Sequence, residues 1–138
     1  AKAIDFTTLV RQLIRDGRLR LKQGAKLGKV TYHDSCHYKR SLHAEKAPRE
    51  VLQMGGFDLV EMAESDVCCG MGGSYSAKHP EVSGPILKRK LHNIDETGAK
   101  LVATDCPGCV MQLRGGLDKQ KSETQAKHTI ELLDELIE

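Results

Sequence analysis

Cysteine is the residue type in this chain best placed to do chemistry. Its five copies stand as Cys36, the adjacent pair Cys68-Cys69, and Cys106-Pro107-Gly108-Cys109, a C-x31-CC-x36-C-x2-C pattern. That set supplies more thiolates than one zinc needs, and an odd number cannot close completely into internal disulfides. Soft thiolate donors suit a multi-metal, sulfur-held cofactor. Neighbouring side chains diverge, so an adjacent pair fits two irons of one extended cluster better than one small ion. Cys106 and Cys109 flank a predicted helix start, where free N–H groups and the positive dipole end favour thiolate and an anionic cluster. Gly70, Gly72 and Gly73 follow the pair, permit close backbone approach and offer N–H groups to sulfur.

Other chemistries use the same residues less completely. Four cysteines, or three with His37, could close a tetrahedral structural zinc site. A thioredoxin-like dithiol built on Cys106 and Cys109 expects a later proline facing it, and none follows Pro107. Free cysteine also serves as a small buried hydrophobe, which suits single residues better than a pair in a glycine-rich turn. His33 and His37 flank Cys36 and are candidate hydrogen-bond donors to sulfur rather than ligands, with packing as the plainer reading. Asp34 and Asp105 read as turn caps, Tyr75 as core filler, and Lys88-Arg89-Lys90 as a wet helix face. Gly70-x-Gly72-Gly73 lacks the Lys-Ser/Thr of a phosphate cradle.

Composition narrows the class. A length of 138 residues implies one domain with a real core, and 4 % aromatics makes that core aliphatic. A net charge of +2 points neither to nucleic acid nor to a polyacidic partner. No apolar run approaches the ~18 residues of a membrane span. Five unpaired thiols place the protein in a reducing, cytoplasmic setting. Ala1 opens the chain without a structural start signal, as expected of one domain of a longer polypeptide.

The elements that must position the cysteines follow from hydrophobic spacing. Phe6, Leu9, Val10, Leu13 and Ile14 predict a helix capped by Asp5 and ended by Gly17. Residues 15–29 carry Arg15, Arg18, Arg20, Lys22, Lys26 and Lys29 and read as an exposed connector. Residues 1–27 thus form a helix and basic connector, and residues 28–138 the cysteine-bearing domain. Val30-Thr31-Tyr32 predicts a strand that delivers Cys36, and Pro48 opens a helix that Gly55-Gly56 ends. Phe57 to Val60 is a second strand leading towards Cys68. A helix spans Pro80 to Thr97 with Leu87, Leu91 and Ile94 on one stripe, Pro85 marking its start or a kink. Leu101 to Thr104 is the clearest strand, turning at Cys106 into a helix. A weak strand at 124–127 precedes a last helix, with Thr129 as cap and Ile130, Leu133, Leu136 and Ile137 inward. The class is α/β, a mostly parallel sheet flanked by helices, with the cysteine loops at the carboxyl ends of the strands.

Tyr32-His33-Asp34-Ser35-Cys36-His37, Cys68-Cys69-Gly70 and Cys106-Pro107-Gly108-Cys109 together resemble the cysteine-rich CCG domain of heterodisulfide reductases and of lactate and glycolate oxidation systems. The likeness covers most of residues 28–138. Cys69-Gly70-Met71-Gly72-Gly73-Ser74-Tyr75 and Thr104 to Gly116 are most similar to the lactate/glycolate branch. The resemblance implies that Cys36, Cys68, Cys69, Cys106 and Cys109 ligate a [4Fe-4S] cluster, non-cubane as in heterodisulfide reductase, with zinc as the alternative. It also implies an electron-transfer domain of a larger oxidoreductase acting on 2-hydroxy acids, or one reducing disulfides. Its partners would be a ferredoxin-like iron–sulfur domain and a flavoprotein dehydrogenase. The protein would be peripheral to the inner membrane face through those partners. The chain departs from the family in holding one copy of the domain and no ferredoxin-type cysteine runs.

Overall fold

A computed structural model describes residues 3–22 and 27–138, so Lys26 and its neighbours in the basic connector lie outside the described residues. Helix α1 (Phe6–Arg15) starts where expected, with the Asp5 carboxylate accepting the Thr8 N–H at 2.9 Å. Strand β1 (Lys29–Tyr32) follows. A π-helical turn over Tyr38–Leu42, which no sequence signal announced, leads to α2 (Lys46–Met54). Strand β2 is short (Asp58–Leu59), and a one-turn helix α3 (Tyr75–Lys78) precedes the long α4 (Pro80–Asp95). Strand β3 (Leu101–Thr104), α5 (Pro107–Lys119), β4 (Gln125–His128) and α6 (Thr129–Asp134) complete the chain.

The four strands pair in the order β2-β1-β3-β4, and every pairing is parallel. Strand side chains alternate between faces, which splits the core into two layers. Val102 and Ala126 pack with Leu91, Ile94, Leu113 and Leu117 of α4 and α5 on one side. Val30, Tyr32 and Ala103 pack with Leu52, Leu132 and Leu136 on the other. Val10 of α1 joins Val51 and Leu133 in a third small cluster. The result is a sheet between helices, as the alternation of strands and helices predicted.

Several local expectations are corrected. Pro80 occupies the first turn of α4, and Pro85 lies inside the helix. His128, not Thr129, caps α6: its Nδ1 accepts the Ile130 N–H, and Glu131 reaches back to the His128 N–H at 2.6 Å. Ile130 is exposed, and Leu132 takes the inward place. The basic stretch is not merely an exposed connector. Leu21 is buried and forms an antiparallel bridge with Ile137, and the Lys22 N–H donates to the Leu136 carbonyl at 2.8 Å.

One side chain ties together the segments that bear on the cysteines. Arg49 of α2 donates from both terminal nitrogens to Asp34, at 2.7 and 2.8 Å, and from Nε to Glu61 at 2.5 Å. Its guanidinium lies 4.8 Å from the centre of the Tyr32 ring, within cation–π range. Asp34 is 3 % exposed. Burial pushes its carboxyl pKa up, but the hydrogen bonds from Arg49 and Ser65 outweigh this and hold it below the usual range. Removing Arg49 would strand a buried charge, which costs about 3–5 kcal/mol. Arg49→Met should therefore lower the melting temperature sharply in thermal denaturation followed by circular dichroism. A companion Arg49→Met/Asp34→Asn variant should recover part of the loss.

Candidate metal centre

Strand β1 hands its chain directly to the site. The His33 N–H donates to the Ala103 carbonyl at 2.9 Å, extending the β1–β3 pairing by one residue. Tyr32 Oη donates to Asp105 at 2.6 Å, so the loops after β1 and β3 are bolted together beneath Cys36 and Cys106. Burial, then the Asp105 charge, pushes the Tyr32 phenol well above its usual range and keeps it a donor. Cys106 is the N-cap of α5 in extended conformation, and Cys109 sits one turn into that helix.

The loop bearing Cys68 and Cys69 is clamped by α4. Asn93 Nδ2 donates to the Ala63 carbonyl at 2.9 Å, and Arg89 pairs with Glu64. Lys90 is 2 % exposed, and its ammonium donates to the Glu64 carbonyl and to the Ser65 carbonyl. Beyond the pair, Gly70 has φ +89°, and a Cβ there would lie 2.9 Å from the Ser83 carbonyl, so only glycine fits. The Ser83 hydroxyl donates to the Gly70 carbonyl at 2.8 Å, and the Gly70 N–H donates to Cys68 Sγ at 3.3 Å.

All five cysteines line one cavity of about 420 Å³, together with Ser35, His37, Met71, Gly72, Gly73 and Gly108. A water occupies about 30 Å³, so a single ion would leave most of this space to solvent. A larger thiolate-held group fits the room and the donor set. Cys69 and Cys109 form the buried end, Cys36 and Cys106 are half-buried, and Cys68 is exposed. The sulfurs act on one another. The Cys109 thiol donates to Cys69 and, against the opposing effect of burial, brings the Cys69 thiol down to about 4. Cys109 itself is driven well above the thiol range by that same hydrogen bond and by burial. Burial, then the neighbouring Cys68 sulfur, pushes Cys36 up. This is a donor set that releases protons when a metal takes their place.

The sequence matches the CCG cysteine-rich domain over residues 30–114. The chain belongs to this family. It is 35 % identical to lactate utilization protein A of Lysinibacillus sphaericus (strain C3-41), over 97 % of this chain and 58 % of that protein. It is 37 % identical to lactate utilization protein A of Oceanobacillus iheyensis, over 78 % of this chain and 44 % of the relative. The probable glycolate oxidase iron–sulfur subunit of Bacillus subtilis (strain 168) is 36 % identical over 75 % of this chain, but only 24 % of its own length is matched. The chain thus spans about half the length of the lactate utilization relatives it matches.

Within this CCG domain, the structure brings together every cysteine that the spacing singled out, with Gly72, Gly73 and His37 on the same cavity wall. Asp34 and Asp105 do not cap turns. One pairs with Arg49, and the other accepts from Tyr32. Tyr75 is 41 % exposed rather than core filler, its ring centre 4.9 Å from that of His79. Lys88 and Arg89 keep their wet face, but Lys90 is buried behind the cysteine loop. Its position was readable: Lys90 falls three residues after Leu87 and four before Ile94, on the inward stripe. The role of Arg49 carried no spacing signal, because Asp34 and Glu61 are remote from it in sequence.

The core and the site are not separate. Cys69 and Cys109 pack in the same cluster as Leu91, Val102 and Leu113. In metal-free, reduced protein, Cys69→Ser should therefore cost about 1–3 kcal/mol by burying an ill-satisfied hydroxyl. Cys68→Ser, at an exposed position, should stay within about 0.5 kcal/mol of the parent. Urea denaturation of the two variants side by side checks the difference.

Proposed function

We propose that this CCG domain holds a [4Fe-4S] cluster of the non-cubane kind on Cys36, Cys68, Cys69, Cys106 and Cys109. It would relay electrons within a larger oxidoreductase of lactate or glycolate oxidation. The observation that carries the reading is the convergence of three loops around one cavity with five sulfurs on its wall. The names of the relatives support the setting: two are lactate utilization proteins, and one is a probable glycolate oxidase iron–sulfur subunit. When bound, such a cluster supplies one-electron transfer. The chain's own residues do the rest. Thiolates from three loops hold the group, and the N–H groups near Gly70 to Gly73 are placed to hydrogen-bond to sulfur. The Lys90 side chain lies near Cys69, where positive charge favours added electrons.

Oxidising a 2-hydroxy acid to a 2-oxo acid releases two electrons and two protons. In this reading a flavoprotein dehydrogenase takes them up, and a ferredoxin-like iron–sulfur domain and this domain pass them on singly. The partners and a cytoplasmic place at the inner membrane face are part of the proposal. Among the described residues no helix is long and apolar enough to cross a membrane. Residues 28–138 form the functional unit in this proposal, with residues 1–27 as its amino-terminal helix and connector. A second reading, reduction of a small disulfide at the same centre, is favoured by the exposed Cys68 at the cavity mouth.

Anaerobic reconstitution followed by iron and acid-labile sulfide analysis should give about four of each per chain, with an EPR signal in one redox state. One zinc and no sulfide would replace the cluster reading with a structural-metal one. A spectral change on adding a small disulfide and thiol, with turnover of the disulfide, would favour the second reading over simple relay.

A further inference from the structure

Lys90 is a buried cation without a carboxylate of its own. It is 2 % exposed, whereas Lys88 and Arg89 beside it in the chain are exposed. Its ammonium donates to backbone, to the Glu64 carbonyl and to the Ser65 carbonyl at 3.4 Å. The Glu64 carboxylate is taken by Arg89 and Asn93, and among the described residues no acidic side chain lies within ion-pair distance of Lys90. Buried charges are normally paired, because an ion taken out of water forfeits its hydration. The candidate partner is the sulfur set. The Ser65 carbonyl that accepts Lys90 also accepts His33 Nδ1 at 3.1 Å, and a ring nitrogen of His33 lies within 4.8 Å of Cys69 Sγ and of Cys109 Sγ. Burial lowers the Lys90 pKa, and the negative charge of Cys69 is the first influence opposing it, ahead of Glu64, Asp66 and Asp34. Arg40, which acts on Cys36, is exposed and so screened by solvent and salt.

We infer that Lys90 is the counter-ion of the thiolate-held centre and the residue that sets how readily that centre accepts an electron. The inference deepens the cluster reading and rests on it. Cysteine thiolates around a metal–sulfur core make an anionic group, and its potential follows its net charge and surroundings. Each added electron makes such a group more negative, so a fixed ammonium nearby stabilises the reduced state over the oxidised one. One electron arrives from the donor and one leaves to the acceptor. No bond forms or breaks, and Lys90 keeps its protons throughout. Burial makes the charge effective, since salt screens it far less than it screens Arg40. The Glu64 and Ser65 carbonyls hold the ammonium in place, just ahead of Cys68 and Cys69 in the chain.

Redox titration followed by EPR tests this on anaerobically reconstituted protein, with iron and labile sulfide measured in every sample. Lys90→Gln removes the charge and keeps a donor for the two carbonyls. Lys90→Arg keeps the charge, and Lys88→Met removes an equal charge from the exposed face of the same helix. Lys90→Gln should lower the reduced-to-oxidised ratio at the parent's midpoint by about tenfold. For a one-electron couple that is a shift of about 59 mV to more negative potential. Lys90→Arg and Lys88→Met should stay within about twofold of the parent ratio. A lysine that only clamped the loop would lower the melting temperature when replaced and leave the potential where it was. Loss of iron from Lys90→Gln, with Lys90→Arg fully loaded, would support the same need for charge. An unchanged potential in a loaded Lys90→Gln, an equal shift in Lys88→Met, or loss of iron from Lys90→Gln and Lys90→Arg alike would overturn the inference. A parent that takes up no iron and sulfide would sink the cluster reading itself, whereas a loaded parent indifferent to Lys90 leaves that reading standing.

Discussion

Parallel pairing of β1 with β3 is the constraint on which the rest of the structure depends. Val30, Thr31 and Tyr32 lie beside Leu101, Val102 and Ala103 in one direction, so the chain leaves both strands at the same edge. Cys36 and Cys106 are thereby brought to one side of the sheet although they are far apart in sequence. The Tyr32–Asp105 hydrogen bond then fixes the two exits relative to each other. An antiparallel pairing would send the two loops to opposite ends, and no choice of loop residues could reunite them.

The third loop has no strand of useful length to aim it, since β2 is two residues long. Its placement comes from polar anchors instead. Asn93, Arg89 and Lys90 of α4 hold residues Ala63 to Ser65, while Asp34 and His33 reach Ser65 from the other side. Glu64 adopts φ +55° in this grip, a conformation uncommon for a residue with a side chain. The cysteine pair emerges from a segment whose backbone is held from both flanks. Buried networks of this kind specify one geometry because every partner must be present at once. The same network brings the buried Lys90 close enough to Cys69 for their charges to interact.

Much of the fold was legible. The four strands, the helices from Phe6, Lys46, Pro80, Pro107 and Thr129, and the carboxyl-edge position of Cys36 and Cys106 follow from periodicity, prolines and glycines. The misreadings share a cause. Lys90 looked like one member of a basic run, Tyr75 like an aromatic that must be buried, and residues 15–29 like a solvated connector. Each judgement treated residue type as a guide to burial: Lys90 and, within an otherwise mostly exposed stretch, Leu21 are buried by partners distant in the chain, while Tyr75 is left exposed. Backbone carbonyls of Glu64 and Ser65 draw Lys90 inwards, and Ile137 gives Leu21 a strand partner. The cap of α6 was misplaced by one residue because histidine is a less usual cap than threonine.

The sequence by itself determined the chemistry: which atoms are soft donors, how many there are, and that glycines let the backbone come close to them. Those are properties of residue types and short spacings, and they survive any rearrangement of the chain. Only the tertiary structure decided which donors share a wall, that Cys69 and Cys109 belong to the hydrophobic core, and that the buried His33 ring lies beside their sulfurs. Such facts depend on contacts between residues tens of positions apart. They are set by sheet direction and by hydrogen bonds to backbone carbonyls, which every residue carries alike and no sequence pattern marks.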